Sequence, residues 1–335
     1  MFMQRDGETM KSIAGLRWLV VTLLVLGFVC PRQALAQVPA RFYWKSLTGA
    51  TGVPLILESI SGNSNPFDPS RMVMAGANFT GTIALAGYAR TFSLFDRAGM
   101  VALIEPMGRL SGEVTVGGNS FSQASNGFGD PTLELNVNLL GPPAQKSIPD
   151  ALRYTPGFSV DVLADLAFPI GEYDNTQPLN LSQNRWYGRV GAPILWQLGP
   201  WVPGRRTTLE LLPAAWLFGT NSDYVGQTLK TDPMFQLDSH LSRDFTDRFW
   251  GAFDVACYKG GKASVNGVEG EPLNNVGYGF TLGNQINENL ALTVGYKSTV
   301  NDHGAEDLRM DVFMVTLMTG WHPIIEGERR LKGGE

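Results

Sequence analysis

Histidine and cysteine are scarce in this chain, with three and two of them in 335 residues. His240, His303 and His322 are scattered, and no His or Cys pair has the spacing of a metal site, so no metal is expected. Cys30 falls in an N-terminal leader, which leaves Cys257 alone and allows no internal disulfide. No G-x-x-x-x-G-K-[ST] loop and no G-x-S-x-G elbow occurs, and no cofactor is expected. Four of the 26 basic and two of the 31 acidic residues lie in that leader. The remainder carries about −7, which argues against a nucleic-acid partner. Beyond the leader there is no run of roughly 20 apolar residues, so no transmembrane helix is expected. A β-barrel is untouched by that absence, because its apolar residues alternate with polar ones and leave the mean hydropathy near zero.

Residues 1–36 are expected to be a cleaved signal peptide. Arg5, Lys11 and Arg17 form its basic region, Trp18 to Val29 its apolar run, and Ala34-Leu35-Ala36 its small-x-small cut site. Val29, where a small residue would be wanted, argues against lipidation at Cys30. The exported chain then divides into a barrel over 37–322, its first strand uncertain, and a polar tail over 323–335.

What the chain has in abundance is period-two alternation. In "TLELNVNLL" (132–140), Leu133, Leu135, Val137 and Leu139 share one face, and Thr132, Glu134, Asn136 and Asn138 the other. Phe158 to Phe168, Trp186 to Trp196, Leu209 to Leu217, Val276 to Leu282 and Leu290 to Tyr296 repeat the pattern. These runs are longer than the usual soluble strand of about 5–6 residues and suit a tilted membrane strand. Twelve strands are expected, near 52–60, 75–92, 97–109, 128–140, 157–168, 184–198, 205–218, 232–244, 248–259, 274–285, 290–300 and 309–321. The first is weakened by Pro54. Short links alternate with longer ones at 61–74, 110–127, 169–183, 219–231, 260–273 and 301–308. The fold class expected is therefore all-β, an antiparallel up-and-down transmembrane barrel of about 12 strands with both termini periplasmic. The link 141–156 breaks the scheme by its length, and a short helix is expected in it near Pro149 to Arg153.

The last strand carries Phe313, Val315, Leu317, Thr319 and Trp321 on one face. Outer-membrane barrels are similar there, where the barrel-assembly machinery reads them. Trp186, Trp196, Trp201, Trp216, Trp250 and Trp321 fall near strand ends and fit aromatic girdles.

With the apolar sets toward lipid, the polar sets face a lumen. Glu105, Glu134, Asn136, Asn138, Asp161, Asp165, Arg185, Arg189, Glu210, Gln236, Asp238, His240 and Asp254 are its candidate lining. Two readings stay open: these groups pair into a plug that keeps the barrel rigid, or some of them line a polar path. A hydrolase is not expected, since in "QLDSHLSRDF" Ser239 and His240 point to opposite faces of a strand. Tyr43-Trp44 and Pro66-Phe67 are either apolar guides at the two mouths or anchors, the latter favoured.

Six ordered stretches carry a family resemblance: "LAGYARTFSLFDRAG" (85–99), "GFGDPTLELNVNLLGPPA" (127–144), "PIGEYD" (169–174), "NRW" (184–186), "TDPMFQLDSHLSRDF" (231–245) and "YKGGKASVNGV" (258–268). The chain resembles the MetA-pathway of phenol degradation family. That resemblance implies a channel in the outer membrane of a Gram-negative bacterium, for passive uptake of a small apolar or aromatic solute. It brings no catalytic residues with it. The alternatives are a barrel with a lumen closed by ion pairs, acting in structure or surface interaction, and a soluble periplasmic sandwich. The partners expected are outer-membrane lipid, the assembly machinery and that solute.

Overall fold

A strand with one lipid-facing side can satisfy its backbone in a bilayer only between two neighbours, so a row of such strands must close on itself. The computed structural model describes residues 38–116, 119–300 and 307–327; the expected signal peptide, the end of the polar tail and most of the link 301–308 lie outside these. Its strands are β1 (Thr51–Gly62), β2 (Ala77–Leu94), β3 (Arg97–Val116), β4 (Asn119–Phe128), β5 (Thr132–Leu140) and β6 (Phe158–Ala167). They continue with β7 (Tyr187–Gly191), β8 (Ile194–Gln197), β9 (Thr207–Phe218), β10 (Asn221–Tyr224), β11 (Gln227–Thr231) and β12 (Met234–Asp244). The last are β13 (Phe249–Gly260), β14 (Ala263–Val265), β15 (Val268–Glu269), β16 (Leu273–Asn287), β17 (Leu290–Thr299) and β18 (Met310–Trp321).

The sheet runs β12-β13-β16-β17-β18-β1-β2-β3-β5-β6-β7-β9, and β12 pairs with β9 to close it. All of these pairings are antiparallel. β7 and β8 are two halves of one crossing, interrupted at Ala192-Pro193, and both pair with β6 and β9. Proline cannot donate to the ladder, and Pro193 sits where the crossing breaks. The barrel therefore has 12 strands.

Two features differ from the expectation. β3 runs past residue 109 to Val116 and folds back as β4, a hairpin that projects beyond the barrel. Segments of two long links form a separate small sheet, β10-β11-β14-β15. Both are polar or glycine-rich, so no apolar stripe marks them. The short helix is present as α1 (Ile148–Arg153), with Ser147 and Asp150 forming a capping box.

One end of the barrel, the turn end, carries Phe95-Asp96 and the other short links, together with both ends of the described chain. Phe95 and Asp96 both have positive φ, 48° and 63°, as a two-residue hairpin turn requires. The opposite, loop end carries the long links. On the outer face, Leu133, Leu135 and Leu139 are 40%, 45% and 58% exposed, whereas Glu134, Asn136 and Asn138 are buried inside. Trp186, Trp196 and Trp321 also point out. Trp201, Trp216 and Trp250 do not belong to a girdle: Trp216 and Trp250 lie on inward positions, and Trp201 packs against Trp44 at the turn end.

The interior is not uniformly polar. Register places Ile56 and Ile60 of β1, Phe79 and Ile83 of β2, and Met310, Val312 and Met314 of β18 inside, where they join Leu110, Met234 and Tyr258 in one apolar cluster. Phe67, Leu179 and Leu181 from two long links, and Leu308, complete it at the loop end.

Candidate functional site

Residues 38–50 precede β1 and enter the barrel from the turn end. Val38 and Tyr43 pack on Leu163, Leu212 and Ala214 of the inner wall. Polar wall groups then hold the segment. Glu210 accepts hydrogen bonds from the Arg41 amide (2.8 Å) and Trp44 Nε1 (3.0 Å). The Arg41 guanidinium reaches Asp244 (2.8 Å) and lies between the rings of Trp44 and Trp250, 4.2 Å from each. Lys45 pairs with Asp161, and Tyr43 Oη donates to Glu134 (3.4 Å). Arg206 stacks on Trp44 and Trp201 and bonds Asp244 (2.6 Å), tying the segment to the link after β8. Residues 41–50 are therefore a plug and 51–62 a strand; Tyr43 and Trp44 are anchors, not guides.

The wall itself carries a second set of contacts. Alternation alone brings Arg189 of β7 opposite Asp165 of β6 (2.6 Å), with Glu134 of β5 at 3.6 Å. Asn136 and Asn138 both donate to Asp161 (2.8 Å each). Gln236 donates to Asp238 (2.6 Å) and accepts from Trp216 Nε1. His240 Nδ1 meets Asp254 (2.7 Å), and Thr281 donates to the other oxygen of Asp254 (2.6 Å). Ser239 stands on the opposite face from His240, and Ser242 bonds Thr208 and Arg41, so none of them forms a serine–histidine pair.

Twelve of the thirteen candidate lining residues thus lie inside or at the inner loop end. Glu105 does not. Its direct partner across β2 and β3 is Ala86, on the face of the outward Tyr88–Leu103 pair, so Glu105 points outward near the loop end. Two side chains on directly opposed positions share a face, and β3 has no register shift there.

Besides Asp244, described above, two charged lumenal residues stand outside the candidate set. Lys297 of β17 is buried and lies within electrostatic reach of Glu58, Asp238 and Asp254. Glycine at 279 makes room for it, since a Cβ there would stand 2.6 Å from Lys297 Cγ. Glu58 sits inward on β1 between Ile56 and Ile60. Each is the one charge in its strand, and the strand period itself is the signal that places it inward.

Arg185 belongs to a different structure. It reaches Asp68 (3.6 Å), Thr231 Oγ1 (2.8 Å) and the ring of Phe218 at the loop end. Asp130, from "GFGDP", accepts from Gly171 N (3.2 Å), Ser182 Oγ (2.6 Å) and Gln183 N (2.7 Å). Asn65 donates to the Asn180 carbonyl (2.8 Å), and Gln183 to that of Phe67 (3.3 Å). The link 63–76, with Pro66-Phe67, is thereby folded in over the apolar cluster as an anchor.

The turn end is open by comparison. A cavity of about 720 Å³ lies between the plug, the ends of β1, β2, β3 and β18, and α1. Its walls include Trp44, Pro54, Met100 and Met318, with Lys45 and Asn136 also on its lining. Among the described residues no cluster of metal-ligating side chains occurs.

A family model described as "Putative MetA-pathway of phenol degradation" matches residues 66–306. Among solved structures, the barrel is similar to the COG4313 outer membrane channel from Pseudomonas putida F1, with a TM-score of 0.66 and 14% identity over 85% of this chain and 100% of that one. More distant is the Pseudomonas putida toluene transporter TodX, at a TM-score of 0.40 and 10% identity over 86% and 94% of the two chains. No protein of curated function matches the sequence.

Proposed function

We propose, because the chain belongs to the MetA-pathway of phenol degradation family, that it is an outer-membrane channel through which small apolar or aromatic molecules pass passively. Its short turns and both termini face the periplasm, as in bacterial barrels of this kind. The observation that carries the reading is the inner seam of β1 and β18. Water or ion pairs would suffice to fill a barrel, yet Pro54, Ile56, Ile60, Met310, Met314 and Met318 all face inward there. This row runs from the apolar cluster under the loops to the turn-end cavity. An apolar solute gains by moving along such a wall, at about 25 cal/mol for each Å² of apolar surface it hides from water.

The plug sets when that route is open. Its contacts with Glu210, Asp244, Asp161 and Glu134 are all with wall residues, so it can leave without unpairing any barrel strand. The protein is a conduit and not an enzyme in this reading. The COG4313 protein from Pseudomonas putida, itself an outer membrane channel, supports it through the shared barrel.

Full-length protein in liposomes should speed the entry of toluene or phenol over protein-free vesicles and leave a disaccharide excluded. Absence of any flux, with correctly folded barrel in the vesicles, overturns the proposal. The ion-paired interior favours a second reading, a barrel closed for good. A variant lacking residues 38–46 separates the two, since a permanently closed barrel gains no conductance when its plug is removed.

A further inference from the structure

Within the plug segment 38–50, Arg41 is the one residue other than glycine with a positive φ, at 68°. Such a backbone is strained for a residue with a side chain, and it persists only where the surroundings impose it. Here the surroundings are the pocket that takes the Arg41 side chain. Register places Asp244 of β12 directly opposite Trp250 of β13, and Ser242 opposite Thr208 of β9. The guanidinium donates from Nη1 to Asp244 Oδ1 (2.8 Å) and from Nε to Ser242 Oγ (3.2 Å), between the rings of Trp250 and Trp44.

The pocket belongs to the wall and does not depend on the plug. Asp244 Oδ2 accepts from Gly204 N (3.1 Å) and Arg206 Nε (2.6 Å), and Ser242 bonds Thr208 (2.8 Å). These contacts stay when the Arg41 side chain swings away, so Asp244 Oδ1 remains aimed at the space it leaves. The charges acting on that space are two carboxylates, Asp244 and Glu210, and one cation, Arg206. Without Arg41 the pocket is short of one positive charge. An anion is repelled there, and a neutral molecule leaves the excess carboxylate unpaired. An ammonium answers the charge but has no plane to lay on Trp250. A guanidinium supplies a flat cation for the ring and an in-plane fork for Asp244 and Ser242. Arg206, 23% exposed and stacked on Trp201, marks where the pocket meets solvent at the turn end. Arg41 is also an imperfect occupant: its Nη2 is buried with no hydrogen bond. A guanidinium free of the strained backbone can shift to meet its partners.

We propose that this wall pocket is a binding site for a small guanidinium-bearing molecule arriving at the turn end, and that Arg41 is its tethered stand-in. The ligand takes Asp244 Oδ1, Ser242 Oγ and the face of Trp250. Arg41 is displaced, its backbone relaxes, and the plug loses one of its holds. The inference rests on the reading of the plug as the conduit's gate and names what loosens it.

The test titrates ethylguanidinium, propylammonium and ethylurea, which are of similar size, into the detergent-solubilised full chain. Binding is read by saturation-transfer NMR, with protein-free micelles as blank and sodium chloride at equal concentration as the control for screening. Arg41→Ala empties the pocket and should bind ethylguanidinium at least about tenfold more tightly than the unaltered protein, where the tethered guanidinium competes. Propylammonium should bind that variant roughly fivefold more weakly, and ethylurea not measurably. Adding Trp250→Leu to Arg41→Ala should cost ethylguanidinium roughly fivefold, the worth of a partly desolvated contact between cation and ring. Heat-modifiable migration of each variant shows that its barrel is folded. In planar bilayers ethylguanidinium, and not sodium chloride, should raise the time the unaltered protein spends in its wider state. Equal ethylguanidinium affinity with and without Arg41, equal binding of propylammonium or ethylurea, or an unchanged conductance at saturating ethylguanidinium each overturns the proposal. Liposome flux of toluene in the unaltered protein reports on the conduit separately. Flux without guanidinium binding defeats this inference alone, and competition with Arg41 in a protein that passes no toluene defeats the conduit and leaves the pocket.

Discussion

Replacing Glu210 with alanine should free the plug. Glu210 is 8% exposed and faces the lumen from β9. Two of its hydrogen bonds go to the plug, from the Arg41 amide at 2.8 Å and Trp44 Nε1 at 3.0 Å. Hydrogen bonds to a charged group contribute about 1.5–3 kcal/mol each, so the pair amounts to roughly 3–6 kcal/mol before water is considered. Water entering the space left by the side chain satisfies part of what was lost, which leaves about 2–3 kcal/mol. At about 1.4 kcal/mol per factor of ten, the unplugged population rises roughly 30- to 150-fold. Glu210→Gln keeps one acceptor and turns an amide donor toward a second N–H, so it should shift the population by roughly the square root of that factor. Planar-bilayer recordings give the fraction of time spent in a wider conductance state, and accessibility of Trp44 to an aqueous quencher gives the position of the plug. A wild-type-like conductance in Glu210→Ala, with Trp44 still shielded, would refute the assignment of Glu210 as the plug's main hold.

Three further outcomes follow from the same geometry. Leu135→Arg places a charge on the lipid-facing side of β5 and should cost about 2–4 kcal/mol in urea titrations of the barrel refolded into vesicles; a cost near zero would show that this face is not in lipid. Glu58→Leu removes the one inward carboxylate in the β1 and β18 seam and should raise toluene flux roughly fivefold to thirtyfold, the worth of a polar-group desolvation cost of about 1–2 kcal/mol; reduced flux would place the solute elsewhere. Asp150 is held below its ordinary value of 3.8, first by the hydrogen bond with Ser147 and then by the Lys146 amide. A depressed carboxyl stabilises the fold above the unfolded value and loses that contribution as pH falls through the folded one. Protection of the amides at 147–151, measured against the intrinsic exchange rate at each pH, should therefore hold at neutral pH and fall below about pH 4, whereas Ser147→Ala should show the lower protection already at neutral pH.

Alternation made β5 and β16 legible because their outer faces are apolar and their inner faces largely polar or glycine; in β6 and β9 the signal comes from Asp161, Asp165, Thr208 and Glu210, although Leu163, Leu212 and Ala214 also face in. The barrel strand number followed from those and from the order of short and long links. Glu105 was misplaced because it was read as a charge and assigned inward; the rule that lone charges avoid lipid holds at the midplane, and Glu105 lies beyond it near the loop end. Trp216 and Trp250 were read from their positions along the strands, but strand parity decides which side a tryptophan takes, and both are inward. The plug carried no periodic signal at all. Arg41, Trp44 and Lys45 make sense only against Asp244, Glu210 and Asp161, more than 100 residues away.

The recognisable motifs and the candidate conduit are largely different residues. "GFGDP", "PIGEYD" and "NRW" converge on the loop-end clasp, where Asp130 holds Gly171, Ser182 and Gln183 and Arg185 faces Asp68. Such a clasp depends on fixed backbone donors and one acceptor, which leaves little freedom in side chain or spacing. The β1 and β18 seam needs only bulk and apolarity, which Ile, Met and Val supply interchangeably, so it leaves no motif. It leaves instead a strand apolar on both faces. Outside a membrane barrel that pattern means burial between two layers of protein; inside one, the outward face is covered by lipid and the inward face must be covered by something else. At the loop end Phe67, Leu179 and Leu181 cover it. At the turn end, around Pro54 and Met318, the cavity lies instead, with no side chain of the described residues filling it.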